Sequence, residues 1–367
     1  MNASNATPRP VLVAGKWETN SGATFCSKNP NTGEAIDAVY PVSDWATCQR
    51  ALEAADAAFR MSRRLTGDRI AEFLNDYARR IEEDREGLVE IAHQETGLPK
   101  APRLADVELP RTVNQLRLAA TAAANGSWKL PTIDLKANIR SCYQTLGPVA
   151  VFGPNNFPFA FNSIAGGDFA AAIAAGNPVI AKANSSHPAT SERFGRLADA
   201  AIQATGMPAG LVQLLYRTSH EDGEKLVAHP SLAAIGYTGA RSAGLQLKSV
   251  ADRVGKPFYA ELSSVNPVVY LPGALAERGA ALVDEFVTSG LMGAGQFCTN
   301  PGLLLMVVSS ETEAFISGVV AKYAAAAPGT LLSQSVETSL LKSLSILTEG
   351  GAKALTGGSK LPGARCA

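Results

Sequence analysis

Three side chains on well-separated segments make up a set capable of acyl chemistry. Cys298 lies in GAGQFCTNPG, Gly293 to Gly302, between small residues and turn-formers. Glu261 closes the apolar run PFYAEL, and Asn156 sits in FGPNNFPFA, a proline-bracketed loop that follows an apolar run. A thiolate attacks a carbonyl carbon, a carboxylate takes a proton from water and an amide donates to an oxyanion, which together suffice for thioester formation and hydrolysis. Each residue also has a plainer reading. Cys298 fits a half-buried small hydrophobe at a helix end, Glu261 a capping or ion-paired acid, and Asn156 a simple turn former.

Two more features suit a phosphate-bearing ligand. GYTGARSAG, Gly236 to Gly244, leads from a strand into a helix through G-x-x-x-x-G, which lets backbone N–H groups and the helix dipole approach a pyrophosphate. It is not the G-x-G-x-x-G dinucleotide fingerprint, and a plain loop is the alternative. Lys182 ends PVIAKA, at the carboxyl edge where open α/β sheets bind ligands, although a solvated strand-end lysine has the same sequence.

The elements that must hold these residues follow from the patterning. Asp44 to about His93 is helical in period, with a stop at Gly97-Leu98-Pro99; a further helix is expected from Leu104 to near Asn125-Gly126, and SWKLPTIDLKANIRSCYQTLGP reads as strand and connector. From Gly147, short Val- and Ile-rich runs (VAVFG, PVIAKA, LVQLLY, AAIGYTG) alternate with Ala-rich helical ones, the mark of a doubly wound parallel sheet. A second α/β region is expected from Pro257, with PFYAEL, NPVVYL, a helix from about Ala274 to Leu291 and the strand GLLLMVV. The expected domains are therefore 1–256, a helical segment with a Rossmann-like cofactor domain, and 257–367, a cysteine-bearing domain.

The bulk numbers exclude several classes. The 367 residues suit two domains, and 33 Lys and Arg against 33 Asp and Glu leave no excess charge to attract nucleic acid or anionic membrane. The N-terminal MNASNATPRPVLVAGKW does not read as a secretory signal and no stretch is long and uncharged enough to span a bilayer, so a cytoplasmic location is expected. The glycosylation-like matches at Asn2, Asn5, Asn125 and Asn184 are then chance. Five scattered cysteines and four histidines without helical i, i+4 spacing suggest neither a disulfide framework nor a metal site.

GPNNFPFA, GNPVIAKA, YTGARSAG, AELSSVNP and GQFCTNPG, in this order and spacing, resemble the signature segments of the aldehyde dehydrogenase superfamily, and NPNTGE at Asn29 is similar to that family's early motif. Within the superfamily, ETGLPKAPRLADVELPRTVNQLRL and AELSSVNPV are most like the α-ketoglutaric semialdehyde branch, which also resembles NADP-linked fatty-aldehyde enzymes. The resemblance implies oxidation of 2,5-dioxopentanoate to 2-oxoglutarate with NADP or NAD as cofactor and a small aldehyde as partner. It makes Cys298 the nucleophile, Asn156 with the Cys298 N–H the oxyanion donors, and Glu261 the base for thioester hydrolysis. Lys182 would hold the adenosine ribose, while Thr238 and Gly239, with Phe152, Pro154 and Gly244, would border the cofactor. Arg111, Arg117, Phe159 and Phe297 are candidates for the substrate side, the two arginines as carboxylate anchors or as surface residues.

Two departures from the family pattern carry expectations. Ser185 stands three residues after Lys182, where NAD-preferring relatives carry a glutamate, and a carboxylate there would repel a 2′-phosphate, so NADP use is expected. Arg241 is a candidate partner for that phosphate or a solvent-facing side chain, and Ala240 replaces a serine common in relatives. The chain also ends at GGAKALTGGSKLPGARCA, before the Glu-x-Phe-Gly-Pro segment, the rest of the catalytic domain and the strand that the family uses in homo-oligomers. A truncated sequence is the simplest expectation. A broad-range or fatty-aldehyde dehydrogenase and an inactive nucleotide-binding fragment are the alternatives.

Overall fold

The computed structural model describes residues 7–20, 22–360 and 366, so the matches at Asn2 and Asn5 lie outside the described residues. Helix α1 (Trp45–Ser62) begins where the Asp44 carboxylate accepts from the Thr47 N–H at 2.9 Å. Helix α2 (Gly67–Glu83) turns Ile70, Phe73, Leu74, Tyr77 and Ile81 inward, the i, i+3, i+4, i+7 stripe of an amphipathic helix. The next, α3 (Arg85–Thr96), stops at Gly97, whose φ of 69° a side-chain-bearing residue adopts only at a cost. The expected start at Leu104 is displaced: α4 spans Leu109–Asn125, and a π-helical stretch, Lys100–Glu108, precedes it with a break at Ala101. Pro102 explains the break, because a residue before proline is pushed out of the helical region and Ala101 has φ −122° and ψ 145°.

Seven strands form the main sheet among the described residues: β1 (Val11–Val13), β2 (Lys16–Glu18), β3 (Val149–Phe152), β4 (Val179–Lys182), β5 (Val212–Leu215), β6 (Ala234–Gly239) and β7 (Phe258–Leu262), in the order β7-β6-β3-β4-β5-β1-β2. The first five in that order are parallel, and β1 joins β5 antiparallel. Helices α5 (Gly167–Ala174), α6 (Pro188–Thr205), α7 (His220–Ala228) and α8 (Arg241–Arg253) link the parallel strands. The doubly wound sheet read from VAVF, VIAK and VQLL is thus the observed one. Because β4 and β5 lie to one side of β3 and β6 and β7 to the other, the chain reverses direction between β3 and β6, which is where such sheets open a crevice at their carboxyl edge.

Burial explains the sheet's stability. Every residue of β3 and β5 is buried, and Tyr77, Phe159, Phe169 and Phe194 are fully enclosed between the sheet and its helices. Each such side chain contributes roughly 1.5–3 kcal/mol of transfer free energy. Tyr77 and Gln213 inside have their polar atoms paired: the Tyr77 hydroxyl donates to Ile164 O at 3.0 Å, and the Gln213 amide accepts from Ala14 N and donates to Gly210 O.

The chain divides into two compact units, residues 1–28 with 35–262 and residues 29–34 with 263–367. Since β7 pairs with β6 along its length, the division falls after Leu262, six residues beyond the 256/257 boundary expected from the sequence. In the second unit, β8 (Asn266–Tyr270) and β9 (Pro301–Met306) run parallel, joined through α9 (Pro272–Leu291) and followed by α10 (Ser310–Ala325) and α11 (Gln334–Glu349). Leu275, Leu282, Val283 and Val287 of α9 pack on Phe315 and Val319 of α10 to form its core. None of the helices among the described residues is long and apolar enough to cross a membrane.

Candidate active site

In the first unit, the loop after β3 carries Asn156, which is half-buried. The loop is fastened from two directions. On one side, Asn184 Nδ2 donates to Gly153 O at 3.1 Å, and His187 Nε2 lies 2.9 Å from Pro154 O, so this nitrogen carries the proton. On the other, Arg103 Nη2 donates to Asn156 O at 3.1 Å, and the buried Glu108 accepts from the N–H groups of Phe159 and Ala160 at 2.8 and 3.0 Å. Arg103 and Glu108 are ion-paired. None of these four residues was a functional candidate in the sequence, where Asn184 appeared only as a chance glycosylation-like match. A carboxylate and a guanidinium inside a buried pattern were the available signal, because such groups are buried only when paired.

The substrate candidates separate. Arg111, on α4, lies over the ring of Phe161 at 5.0 Å and that of Phe157 at 5.8 Å, which brings it to the Asn156 loop. Arg117, two turns along the same helix, is held by Glu82 of α2 through two contacts of 3.0 and 2.5 Å. Phe159 is fully buried and packs edge-on against Phe194 at 5.6 Å.

At the ends of β4 and β6 stand the cofactor candidates. Lys182 is half-buried, and desolvation, with a smaller push from the Arg217 charge, lowers its pKa to about 8. A lysine so placed gains from an anionic neighbour. Ser185 is half-buried three residues on, and Phe152 and Pro154 are buried beside the Asn156 loop. The β6–α8 turn has Thr238 and Gly239 partly exposed, with Arg241 exposed at the first position of α8. No side chain caps that helix among the described residues, since Ala240 has none to offer, so the first-turn N–H groups and the positive dipole end are open to a phosphate. Gly244 is buried because α8 approaches the sheet closely there: a Cβ would run into Leu262 and Tyr237.

Glu261 pairs in register with Thr238, which puts both on one face of the sheet. A carboxylate at the end of this apolar run costs little, because β7 is the last strand on its side among the described residues and Glu261 is exposed. Asp168, in the first turn of α5, keeps solvent access, but its carboxyl lies against Gly236 on that same face. Burial, then the Glu261 charge, raises the Asp168 pKa above the ordinary carboxylate range.

Cys298 belongs to the second unit, in the turn between a short 3₁₀ segment (Met292–Gly295) and β9, and is half-buried. Gly293, Ala294 and Gly295 all have positive φ, at 57°, 55° and 76°, and a Cβ on Gly293 would collide with the Phe297 ring. This run turns the chain sharply ahead of the cysteine. Ser264 Oγ and Asn266 Nδ2 both donate to Cys298 O at 2.7 Å, and Asn266 Nδ2 also donates to Asn300 O at 2.8 Å. No cluster of three or more His, Cys, Asp or Glu that could hold a metal occurs among the described residues.

Comparison with known proteins bears on this combination of sheet, uncapped helix and cysteine turn. Residues 17–365 match the model of the aldehyde dehydrogenase family. The chain belongs to that family. It is 42% identical over 338 residues to α-ketoglutaric semialdehyde dehydrogenase 2 of Azospirillum brasilense, covering 89% of this chain and 64% of the relative. An α-ketoglutaric semialdehyde dehydrogenase of Acinetobacter baylyi is 37% identical over 321 residues, 84% of this chain and 60% of that one. The chain therefore spans less than two thirds of the length of either. Among solved structures, the NAD+ complex of an aldehyde dehydrogenase from Bacillus cereus superposes with a TM-score of 0.85 at 21% identity, over 98% of this chain and 73% of the other. The fold and the family read from the five ordered segments are both borne out.

Proposed function

We propose that this aldehyde dehydrogenase family member oxidises 2,5-dioxopentanoate to 2-oxoglutarate with NADP or NAD. The observation that carries the reading is the 42% identity to a protein named for that semialdehyde. Residues 1–28 with 35–262 take the cofactor-binding role, with Glu261 on the last strand of that unit's sheet, and 263–367 the cysteine-bearing one. Cytoplasmic location and homo-oligomers belong to the same reading.

The Cys298 thiolate attacks the aldehyde carbon, forming a C–S bond while the carbonyl electron pair moves to oxygen. That oxyanion accepts hydrogen bonds from the Asn156 amide and the Cys298 N–H. NADP or NAD, when bound, supplies the acceptor for the hydride that leaves the thiohemiacetal carbon. The thioester that remains is hydrolysed when Glu261 takes a proton from water, the hydroxide adds to the acyl carbon and the thiolate departs. Lys182, Ser185 and the first turn of α8 hold the cofactor, and Arg111, beside the Asn156 loop, is the favoured anchor for the substrate carboxylate.

The test is the appearance of reduced cofactor from the purified chain with 2,5-dioxopentanoate. Turnover at least tenfold more efficient than with an uncharged aliphatic aldehyde supports the reading, and the reverse preference rejects it in favour of a broad-range enzyme.

Two cofactor predictions follow from the β4 edge. Lys182 helps only as a cation, so NADP affinity should fall as pH rises through its value near 8, by about tenfold from pH 7 to pH 9. Isothermal titration across that range checks the sign; affinity that rises with pH removes Lys182 from the phosphate site. Ser185→Glu places a carboxylate at the 2′-phosphate position, and charges about 4 Å apart near a surface repel by roughly 4 kcal/mol before relaxation. The KM for NADP should rise at least about tenfold while that for NAD changes little.

A further inference from the structure

The residues that fasten the Asn156 loop are themselves an unusual arrangement. Glu108 ends the π-helical stretch with its side chain wholly buried, and Arg103, five residues earlier, is 12% exposed. A buried carboxylate needs every lone pair answered. Here one oxygen receives the Phe159 and Ala160 N–H groups and the other receives Arg103. The guanidinium lies over the Phe157 ring at 4.5 Å and donates a further hydrogen bond to Asn156 O at 3.1 Å. Asn156, Phe157, Phe159 and Ala160 are thus gripped by one ion pair, through three backbone atoms and a ring.

We propose that Arg103 and Glu108 are a positioning pair that fixes the backbone carrying the Asn156 amide. The proposal rests on the oxyanion role assigned to Asn156 above. Electrostatic stabilisation of an oxyanion depends on a donor whose place is set before the charge develops, and a shift on the order of 1 Å costs about a hundredfold in rate. The fork of an arginine suits the task because it can engage a carboxylate and a carbonyl in one plane, which an ammonium cannot.

The experiment compares the full chain with Arg103→Gln, Arg103→Lys and the double variant Arg103→Gln/Glu108→Gln, which leaves no unpaired buried charge should the single change fail to fold. The first readout is amide hydrogen exchange, which does not require turnover. Exchange at Phe159 and Ala160 should accelerate at least about tenfold in the double variant while Val149–Phe152 of β3 is unchanged. The second is kinetic. Arg103→Gln should lower kcat by about a hundredfold with the KM for cofactor unaltered, Arg103→Lys should recover part of the loss, and Arg103→Gln should add less than about threefold once Asn156 is already alanine. Unchanged exchange, or a full additional loss in the Asn156→Ala background, overturns the proposal. Accelerated exchange together with an Asn156→Ala variant of undiminished turnover would instead retain the grip and reject the oxyanion role.

Discussion

On the proposed mechanism, Cys298→Ala should abolish aldehyde oxidation, with a loss of at least about a thousandfold in kcat, while the chain should keep its fold and its cofactor affinity. The size follows from the step removed: without the thiolate there is no C–S bond, and without the thiohemiacetal no carbon from which hydride can leave. The fold survives because the side chain is only half-buried and its turn is anchored through the backbone. Ser264 and Asn266 donate to Cys298 O, an atom that alanine retains. Cofactor affinity should survive because the proposed cofactor residues, Lys182, Ser185 and the α8 turn, all belong to the first unit and Cys298 to the second. Thermal unfolding and calorimetric titration of NADP, run beside the turnover assay, separate the three effects. Residual turnover above a few per cent would assign the nucleophile elsewhere.

The second large effect is Glu261→Gln. A positioned general base is worth about 10²–10⁴-fold, and on the proposed mechanism its loss should fall on hydrolysis alone. Aldehyde oxidation should proceed once, giving a burst of reduced cofactor close to one equivalent, after which the steady rate drops by that factor. Glutamine matches the shape of the carboxylate and the position is exposed, so stability should not change. The Asp168 carboxyl supplies an internal control: its pKa is raised in part by the Glu261 charge, and it should move down toward the ordinary range in the variant. A variant that loses the burst as well as the steady rate would give Glu261 a role in the first half of the reaction.

Much of the framework was legible in the sequence for a physical reason. Strands buried on both faces must be apolar without interruption, so VAVF, VIAK and VQLL announced themselves, and the amphipathic stripe from Ile70 to Ile81 marked α2. What failed depended on partners far along the chain. PFYAEL reads as the start of a new region, yet it pairs with β6 and closes the first unit, because strand pairing leaves no local mark. Glu261 ends an apolar run in the sequence, but its place on an exposed edge is set by the same pairing. Leu104 did not open α4, because Pro102 reshaped the turn before it.

The site divides in the same way. Cys298, Glu261 and Asn156 were candidates by residue type within ordered segments, whereas Arg103 and Glu108 meet their loop across 51 to 53 residues of chain and became visible only once the backbone was folded. Arg111 and Arg117 could not be told apart by sequence. Their surroundings distinguish them: the one stands over two phenylalanine rings of the Asn156 loop, and the other is taken up by Glu82.

Passage of the aldehyde carbon through a thioester on Cys298 is read out by the intact mass of the Glu261→Gln chain after brief exposure to 2,5-dioxopentanoate and NADP. A single adduct equal to the aldehyde less two hydrogens is expected, located on the peptide containing Cys298, absent without cofactor and absent in the Cys298→Ala background. Reduced cofactor formed with no such adduct, or an adduct on another residue, would contradict it.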